Sequence, residues 1–181
     1  MATAFKLPEQ DITLYDFIFS HDARADQFWF LDATTGESYT RSQVKDRTDA
    51  LALGLQLRLE SQTSRDAYTA SPSTEPVVSI VSPNDIDYGI VVWACHLLGY
   101  TVAPSSAVAT VDELVHQFRL TNARLIIAHP STLERVLAAA SEVGLPEDHV
   151  IALCRYCGHY LLDIRLVLIY IRSESTALQR H

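Results

Sequence analysis

The chain has 181 residues, with 14 lysines and arginines against 22 aspartates and glutamates, and therefore a formal net charge of −8. A hydrophobic content of 48% favours a globular domain over a disordered chain, and the acidic balance argues against a nucleic-acid-binding protein, which needs clustered basic side chains. Three cysteines are too few for a disulfide framework and indicate a reducing, intracellular compartment, and no apolar run reaches the ~18 residues of a membrane span.

A short helix and a two-stranded hairpin are the first predicted elements. Apolar residues spaced at i, i+3 and i+4 predict a helix over 11–20. The run 28–31 is typical of a strand, turn residues follow at 34–36, and 37–39 predicts a second strand that returns along the first.

A long amphipathic helix is predicted next. Thr40 and Gln43 have the spacing of a capping box, in which two side chains satisfy backbone N–H groups at the start of a helix. The apolar positions behind this cap are Val44, Leu51, Leu55 and Leu59. The following stretch, 60–75, is rich in Ser, Thr, Asp and Pro and predicts a solvated loop that marks an internal boundary.

From position 76 onward, predicted strands and helices alternate. Continuous apolar runs predict strands over 77–81, 100–103, 125–128 and 150–153. The predicted N-caps of the three intervening helices are Asn84, Thr110 and Ser131, each followed three positions later by an acidic residue, and Gly99 is predicted to end the first. Apolar runs without alternation are typical of strands covered on both faces. The predicted fold class is therefore α/β, a mostly parallel sheet with helices on both faces and right-handed crossovers, preceded by the helix and hairpin.

The last segment differs from the body in charge and pattern. From Cys154 onward, four arginines stand against Asp163 and Glu174, a net charge of +2, which leaves −10 for the rest of the chain. We therefore predict one domain over 1–153 and an unrelated tail over 154–181.

Phosphate-binding motifs are absent from the sequence. Open α/β sheets often bind nucleotides through a glycine-rich turn whose backbone amides point at the anion. The six glycines never come closer than ten positions, and Lys6 and Lys45 both precede the alternating region. We therefore predict that this chain by itself binds no nucleotide or cofactor.

One stretch has the position of a ligand-binding edge. The run Ser82 to Asp85 follows the first strand of the sheet, at the end where ligands lie in open α/β folds. The same run also fits a plain strand-to-helix connection capped by Asn84, and we favour that interpretation. On the helix that follows, Tyr88 and Trp93 are interpreted as core or interface residues.

Metal and nucleophile patterns are weak. Cys154-x-x-Cys157-x-His159 has ligands that suit zinc, but no second cysteine pair supplies the remaining ligands, so no metal site is predicted. His129, directly before Pro130, is interpreted as a strand-end residue rather than a base. A Ser-His-Asp set stays open, although no GxSxG motif occurs.

Several moderately specific stretches, spread over about residues 8–153, share the pattern of one family. They are Asp11 to Phe17, Phe30 to Thr40, Val78 to Tyr88, Trp93 to Pro104, Thr110 to Leu114, Ala123 to Pro130 and Leu145 to Ile151. Together they resemble the N-terminal part of the adenylate-forming (AMP-binding) enzymes, most closely the 4-coumarate–CoA ligase-like acyl-CoA synthetases.

The resemblance implies ATP-dependent activation of a carboxylic acid. The acid attacks ATP to give an acyl-adenylate and pyrophosphate, and coenzyme A then displaces AMP to give a thioester, with Mg²⁺ assisting. The family's phosphate loop, magnesium motif and catalytic lysine follow the matched region and have no counterpart here, and Ser105-Ser106-Ala107 replaces its usual Asn-Pro. We therefore assign no catalytic, cofactor-binding or metal-binding residue, and expect 1–153 to be an incomplete ligase-like domain that is inactive alone.

Two alternatives stay open. Besides the ligase-like domain, the chain could be a non-catalytic α/β module that binds another protein through exposed apolar surface, or a small ligand binder of flavodoxin-like shape. ATP, Mg²⁺, coenzyme A and a carboxylic acid are then expected only for full-length relatives. Such relatives are cytosolic or peroxisomal, and Gln179-Arg180-His181 is not a peroxisomal signal.

Overall fold

A computed structural model of the protein describes residues 12–20, 27–63 and 75–153. The first part contains α1 (Leu14–Ser20), β1 (Phe28–Leu31), β2 (Ser38–Thr40) and α2 (Arg41–Thr63). The second part contains β3 (Val77–Val81), α3 (Tyr88–Leu97), β4 (Thr101–Ser105), α4 (Val111–Thr121), β5 (Leu125–Ala128), α5 (Leu133–Glu142) and β6 (Val150–Ala152). Short 3₁₀ turns at Pro130–Thr132 and Glu147–His149 precede α5 and β6.

The larger sheet has the strand order β4-β3-β5-β6, and its strands run parallel. Val78 of β3 lies opposite Val102 of β4 on one side and opposite Leu125 of β5 on the other. β1 and β2 form a separate antiparallel hairpin. The predicted parallel α/β sheet, N-terminal helix and hairpin are confirmed.

Successive residues of β3, β5 and β6 pack against two different layers of helices. Ile80 and Ile127 point to the layer that contains α2 and α3. Ile126 and Val150 point to the layer that contains α4 and α5. Both faces of these three strands are therefore buried, which explains their continuous apolar runs and confirms the prediction of helices on both sides, whereas the edge strand β4 is partly exposed.

The long helix α2 begins as predicted and ends later. The backbone N–H of Thr40 donates to Oε1 of Gln43 at 2.8 Å, and the N–H of Gln43 donates to Oγ1 of Thr40 at 3.4 Å. The predicted apolar positions Val44, Leu51, Leu55 and Leu59 are buried. The loop predicted from Glu60 is wrong in its first part, because a Gln56–Glu60 hydrogen bond of 2.9 Å supports the helix there and α2 continues to Thr63.

The predicted N-cap of α3 is wrong. Oδ1 of Asp85 accepts the backbone N–H of Asp87 at 2.8 Å, which forms a turn after β3 and delays the helix to Tyr88. Asn84 therefore does not cap α3. The end of the helix is as predicted, because Gly99 has a φ of +71°, a conformation that favours glycine.

The other two predicted caps differ in outcome. Thr110 forms the predicted capping box with Glu113, and both of its hydrogen bonds are present. Ser131 is not a cap of α5, because it lies inside the 3₁₀ turn Pro130–Thr132 and α5 begins only at Leu133. Nδ1 of His129 accepts the Ser131 N–H at 3.1 Å and opens this turn. The side chain of His129 thus caps this turn, whereas the sequence indicated a cap by the Ser131 side chain.

The hairpin packs against α3 through an aromatic cluster. The ring of Trp93 stacks on Phe30, with centroids 5.4 Å apart and an interplanar angle of 15°. Trp29 lies 5.1 Å from the same ring, and Phe19 of α1 meets it edge-on at 5.6 Å. The interpretation of Trp93 as a core or interface residue is confirmed.

Gly89→Ala is expected to lower the free energy of unfolding by about 1–3 kcal/mol, the usual cost of overpacking. A Cβ at this position would lie 2.8 Å from Cζ of Phe30, a ring that Trp93 holds in place. Urea denaturation measures the change, and the cost should shrink in a Phe30→Leu background. An equal cost in both backgrounds would show that the ring is not the obstacle.

Two further predictions concern the tail of the chain and membrane-spanning segments. The predicted tail, 154–181, and the cysteine pattern within it lie outside the described residues. Within the described ranges, no helix is both long enough and apolar enough to cross a membrane.

Candidate functional site

The connections of the sheet reverse direction between β3 and β5. From β3 the chain passes through α3 to β4 on one side, whereas β5 and β6 lie on the other side of β3. α3 packs in one helical layer and α5 in the other. In open α/β sheets, ligands bind outside the carboxyl ends of the strands at such a reversal. The carboxyl ends of β3 and β5, called here the switch edge, are therefore the candidate site.

Asp85 and His129 meet across the switch edge. Asp85 follows β3, His129 follows β5, and Nε2 of the histidine lies 3.7 Å from Oδ2 of the aspartate. The Asp85 side chain is 6% exposed and that of His129 is 27% exposed. The backbone N–H of His129 donates to the carbonyl of Val81 at 2.9 Å, which fixes the histidine to the end of β3. Its predicted position at a strand end is confirmed.

The hydrogen bonds of His129 assign the hydrogen of its neutral ring. Because Nδ1 accepts the backbone N–H of Ser131, it carries the lone pair, so the hydrogen is on Nε2 and faces Asp85. Oγ of Ser131 lies 2.7 Å from the same Nδ1. The structure thus brings together a serine, a histidine and an aspartate, the combination that the sequence left open. The only sequence signal was that Asp85 and His129 each follow a strand.

A second charged pair, between α2 and the start of α3, was not predicted from the sequence. Nη1 of Arg47, on α2, lies 3.7 Å from Oδ1 of Asp87, whose side chain is buried at the start of α3. The guanidinium also lies over the ring of Tyr39, 4.0 Å from its centroid. Burial, helped by the charge of Asp87, raises the pKa of Tyr39 to about 12. Arg47 therefore joins α2, the hairpin and α3.

The loop after β4 is held by an arginine of α5. Nη1 of Arg135 donates to the carbonyl of Ala109 at 2.9 Å, and Nη2 donates to the carbonyl of Ala107 at 2.6 Å. The donors of the Arg135 guanidinium are therefore directed at backbone carbonyls of this loop. The loop that includes the departure from the family's Asn-Pro pattern is thereby fixed in one conformation.

The one lysine within the described residues lies away from the switch edge. Nζ of Lys45 is 2.6 Å from Oδ2 of Asp49, one turn later on α2, and 5.7 Å from the ring centroid of Tyr15 on α1. The hydrogen bond to Asp49 raises the pKa of Lys45. In the described ranges, no group of three histidine, cysteine or acidic side chains is arranged to hold a metal ion.

Cys95 is expected to resist alkylation in the folded protein. It is fully buried on α3, and burial raises the pKa of its thiol to about 12, so little thiolate forms near pH 8. Peptide mass mapping after iodoacetamide treatment should find Cys95 unlabelled in buffer and labelled in urea. Rapid labelling in buffer would contradict its burial.

Comparison with known proteins identifies relatives of the chain, although no protein-family model matches it. The acyl-CoA ligase AKT1 of Alternaria alternata is 32% identical over 142 residues, which are 74% of this chain and 23% of that protein. The acyl-CoA ligase cm3C of Cordyceps militaris is 28% identical over 160 residues, 81% of this chain and 24% of that protein. The chain is a homologue of part of the acyl-CoA ligases. It spans about a quarter of the length of these curated relatives.

Solved structures place the acyl-CoA ligase homologue in the adenylate-forming fold. The luciferase-like enzyme of the nonluminescent mealworm Zophobas morio matches with a TM-score of 0.65 and 25% identity, over 86% of this chain and 34% of that one. A benzoate CoA ligase from Burkholderia xenovorans shares the fold, with a TM-score of 0.63 at 16% identity over 78% and 26% of the two chains. The resemblance found in the sequence is confirmed.

Proposed function

We propose that this acyl-CoA ligase homologue provides the parallel-sheet part of a ligase and that its 181 residues alone do not catalyse the ligase reaction. The reaction expected for a full-length relative is activation of a carboxylic acid by ATP and transfer of the acyl group to coenzyme A. The homology to acyl-CoA ligases supports the family chemistry. The composition of the switch edge supports the lack of activity.

The observation that carries this proposal is that the described residues place no phosphate-binding group at the switch edge. A triphosphate needs lysine, arginine or a run of backbone amides around it. The switch edge instead presents the carboxylate of Asp85, the guanidinium of Arg135 is directed at backbone carbonyls, and Lys45 is paired on α2. The full sequence has no glycine-rich phosphate loop. The part of the chain that the structure describes therefore offers no strong site for ATP at the switch edge.

A pyrophosphate-release assay tests the lack of activity. The purified 181-residue chain is incubated with ATP, Mg²⁺, coenzyme A and a panel of aromatic and fatty acids, beside a full-length ligase as the positive control. We expect release at the level of the enzyme-free blank. Turnover above the blank with any acid would contradict the proposed inactivity and would show that the chain contains a complete catalytic site.

We also propose that residues 1–153 are the ligase-like domain and that 154–181 are a different segment. The change of net charge from −10 to +2 at Cys154 supports this division. Sequencing of transcripts across the codon for Leu153 tests it. A transcript in which a glycine-rich phosphate loop follows Leu153 in place of 154–181 would support the division, whereas a transcript in which the phosphate loop follows the intact 154–181 sequence would contradict it.

Binding of another protein is a second candidate function, favoured by one feature of α2. Leu53 and Leu57 lie one helical turn apart and are 60% and 59% exposed, whereas Leu51 and Leu55 of the same helix are buried. Adjacent exposed leucines favour association. Sedimentation should show concentration-dependent self-association that a Leu53→Gln/Leu57→Gln variant abolishes. A monomer at every concentration would contradict assembly of the chain through this face of α2.

A further inference from the structure

We propose that the apolar run 166–171 of the tail packs in the groove between α3 and the edge strand β4, called here the β4 groove. The occupant is a segment of this same chain, and it lies outside the described residues. This placement depends neither on the ligase reaction nor on its absence. It rests on the exposure of β4, on opposite charges and on the length of chain that follows β6.

The two edge strands of the larger sheet differ in exposure. β4 and β6 lie at the two ends of the strand order. Thr101 and Pro104 of β4 are exposed and Val102 is half-buried, whereas all three residues of β6, Val150–Ala152, are buried. An exposed edge strand offers a place for a further segment of chain. Of the two described edges, β4 is therefore the one that can gain a cover.

The backbone of β4 offers few hydrogen bonds at its free side. The N–H of Thr101 donates to the carbonyl of Pro76 at 3.0 Å and so faces β3. Because alternate residues of a strand face opposite sides, the backbone of Val102 and Pro104 faces away from β3. Proline has no N–H, which leaves Val102 with the one backbone donor there. A segment on this side is therefore held chiefly by its side chains.

The β4 groove supplies the apolar surface for that packing. Tyr88 and Val92, one turn apart on α3, line one side, and Val102 and Pro104 of β4 line the other, around a volume of about 640 Å³. Tyr88, Val92 and Val102 already pack against the core that α2, α3 and the sheet share. An apolar segment in the groove would complete their burial, and removal of apolar surface from water is favourable.

The charges of the groove and of the run are opposite in sign. Glu75 lines the β4 groove, as does Tyr100, whose pKa is raised by burial and further by the charge of Glu60. The run 166–171 has no charged residue and is bounded by Arg165 and Arg172. The tail has a net charge of +2 and the rest of the chain −10. Such complementary charges favour this segment as the occupant.

The tail is long enough to reach the groove. β6 and β4 are separated by two strands, and at the usual spacing of neighbouring strands they lie about 14 Å apart. Residues 154–165 can extend to about 40 Å, at ~3.3 Å per residue. An uninterrupted apolar run also favours aggregation when it is left uncovered. Packing in the groove would cover the run and close this edge of the sheet to other chains.

Photo-crosslinking of the full 181-residue chain tests this placement. The photoreactive residue p-benzoylphenylalanine replaces His96, an exposed residue that lines the β4 groove, and in a control chain it replaces Glu134, an exposed residue of α5 in the other helical layer. Trypsin cuts after Arg165 and Arg172, so the run is released as the single peptide 166–172. We expect links within one chain from position 96 to this peptide, and none from position 134.

Two double variants separate packing in the groove from chance contact. Val167→Asp/Leu168→Asp should lower the yield of the link from position 96 by at least about tenfold, because an unpaired carboxylate is costly to bury. Ser175→Asp/Thr176→Asp adds the same charge outside the run and should leave the yield unchanged. No link from position 96 to peptide 166–172, links only between chains, equal links from position 134, or an unchanged yield in Val167→Asp/Leu168→Asp would each overturn the proposal.

Discussion

Replacement of Arg47 by alanine is expected to lower the free energy of unfolding by about 3 kcal/mol, the lower end of the range for breaking a buried ion pair. The guanidinium lies 3.7 Å from the buried carboxylate of Asp87 and over the ring of Tyr39. Its loss removes a positive charge from a carboxylate that water does not reach and also removes packing between α2 and the hairpin. Urea denaturation followed by circular dichroism measures the change.

Two variants separate this explanation from a general effect of removing arginine. Arg119→Ala should cost only about 0–1 kcal/mol, because its contact with Glu142 is 3.9 Å long and both side chains are more than half exposed. Asp87→Asn should recover part of the loss when combined with Arg47→Ala, since it removes the buried charge. Equal costs for Arg47→Ala and Arg119→Ala would contradict the role assigned to Asp87.

Replacement of Leu55 by alanine is expected to cost about 2–5 kcal/mol, whereas replacement of Leu53 is expected to change stability by less than about 0.5 kcal/mol. Both leucines lie on α2 and differ by two positions, so helix propensity cancels between them. Leu55 is fully buried in the cluster that joins α2, α3 and the sheet, and Leu53 is exposed. The difference between the variants therefore measures core packing alone.

Thermal and urea denaturation of the two variants provide the test. Leu55→Ala should unfold at a clearly lower urea concentration with an unchanged slope. A large cost for Leu53→Ala together with a small cost for Leu55→Ala would show that the opposite face of α2 packs on the core. The same result would also remove the exposed leucine pair from the second candidate function.

Local patterns in the sequence predicted most elements because each depends on neighbouring residues. The strands of the sheet and the capping boxes at Thr40 and Thr110 are examples. The caps at Asn84 and Ser131 were predicted wrongly. The side chain of Asp85 accepts the Asp87 N–H, and the side chain of His129 opens a 3₁₀ turn that includes Ser131. Which of several neighbouring side chains accepts a backbone N–H is decided by backbone geometry, which spacing alone does not contain.

The pairings at the candidate site depend on contacts between distant positions. The place of the run after β3 at a strand end made it a candidate ligand-binding edge, although a plain connection was favoured, and its neighbour in space was unknown. Only the order β4-β3-β5-β6 places His129 beside Asp85. Likewise, the approach of Arg47 to Asp87 and of Arg135 to the loop after β4 requires the packing of helices that the sequence leaves undetermined.

The most direct test of the claim that this chain alone does not bind ATP is calorimetric titration of the purified 181-residue chain with ATP in the presence of Mg²⁺. A full-length acyl-CoA ligase is titrated beside it. We expect no measurable heat of binding for the chain, because the described residues place no lysine at the switch edge and the sequence has no glycine-rich phosphate loop. Tight, magnesium-dependent binding of ATP by the chain would contradict it.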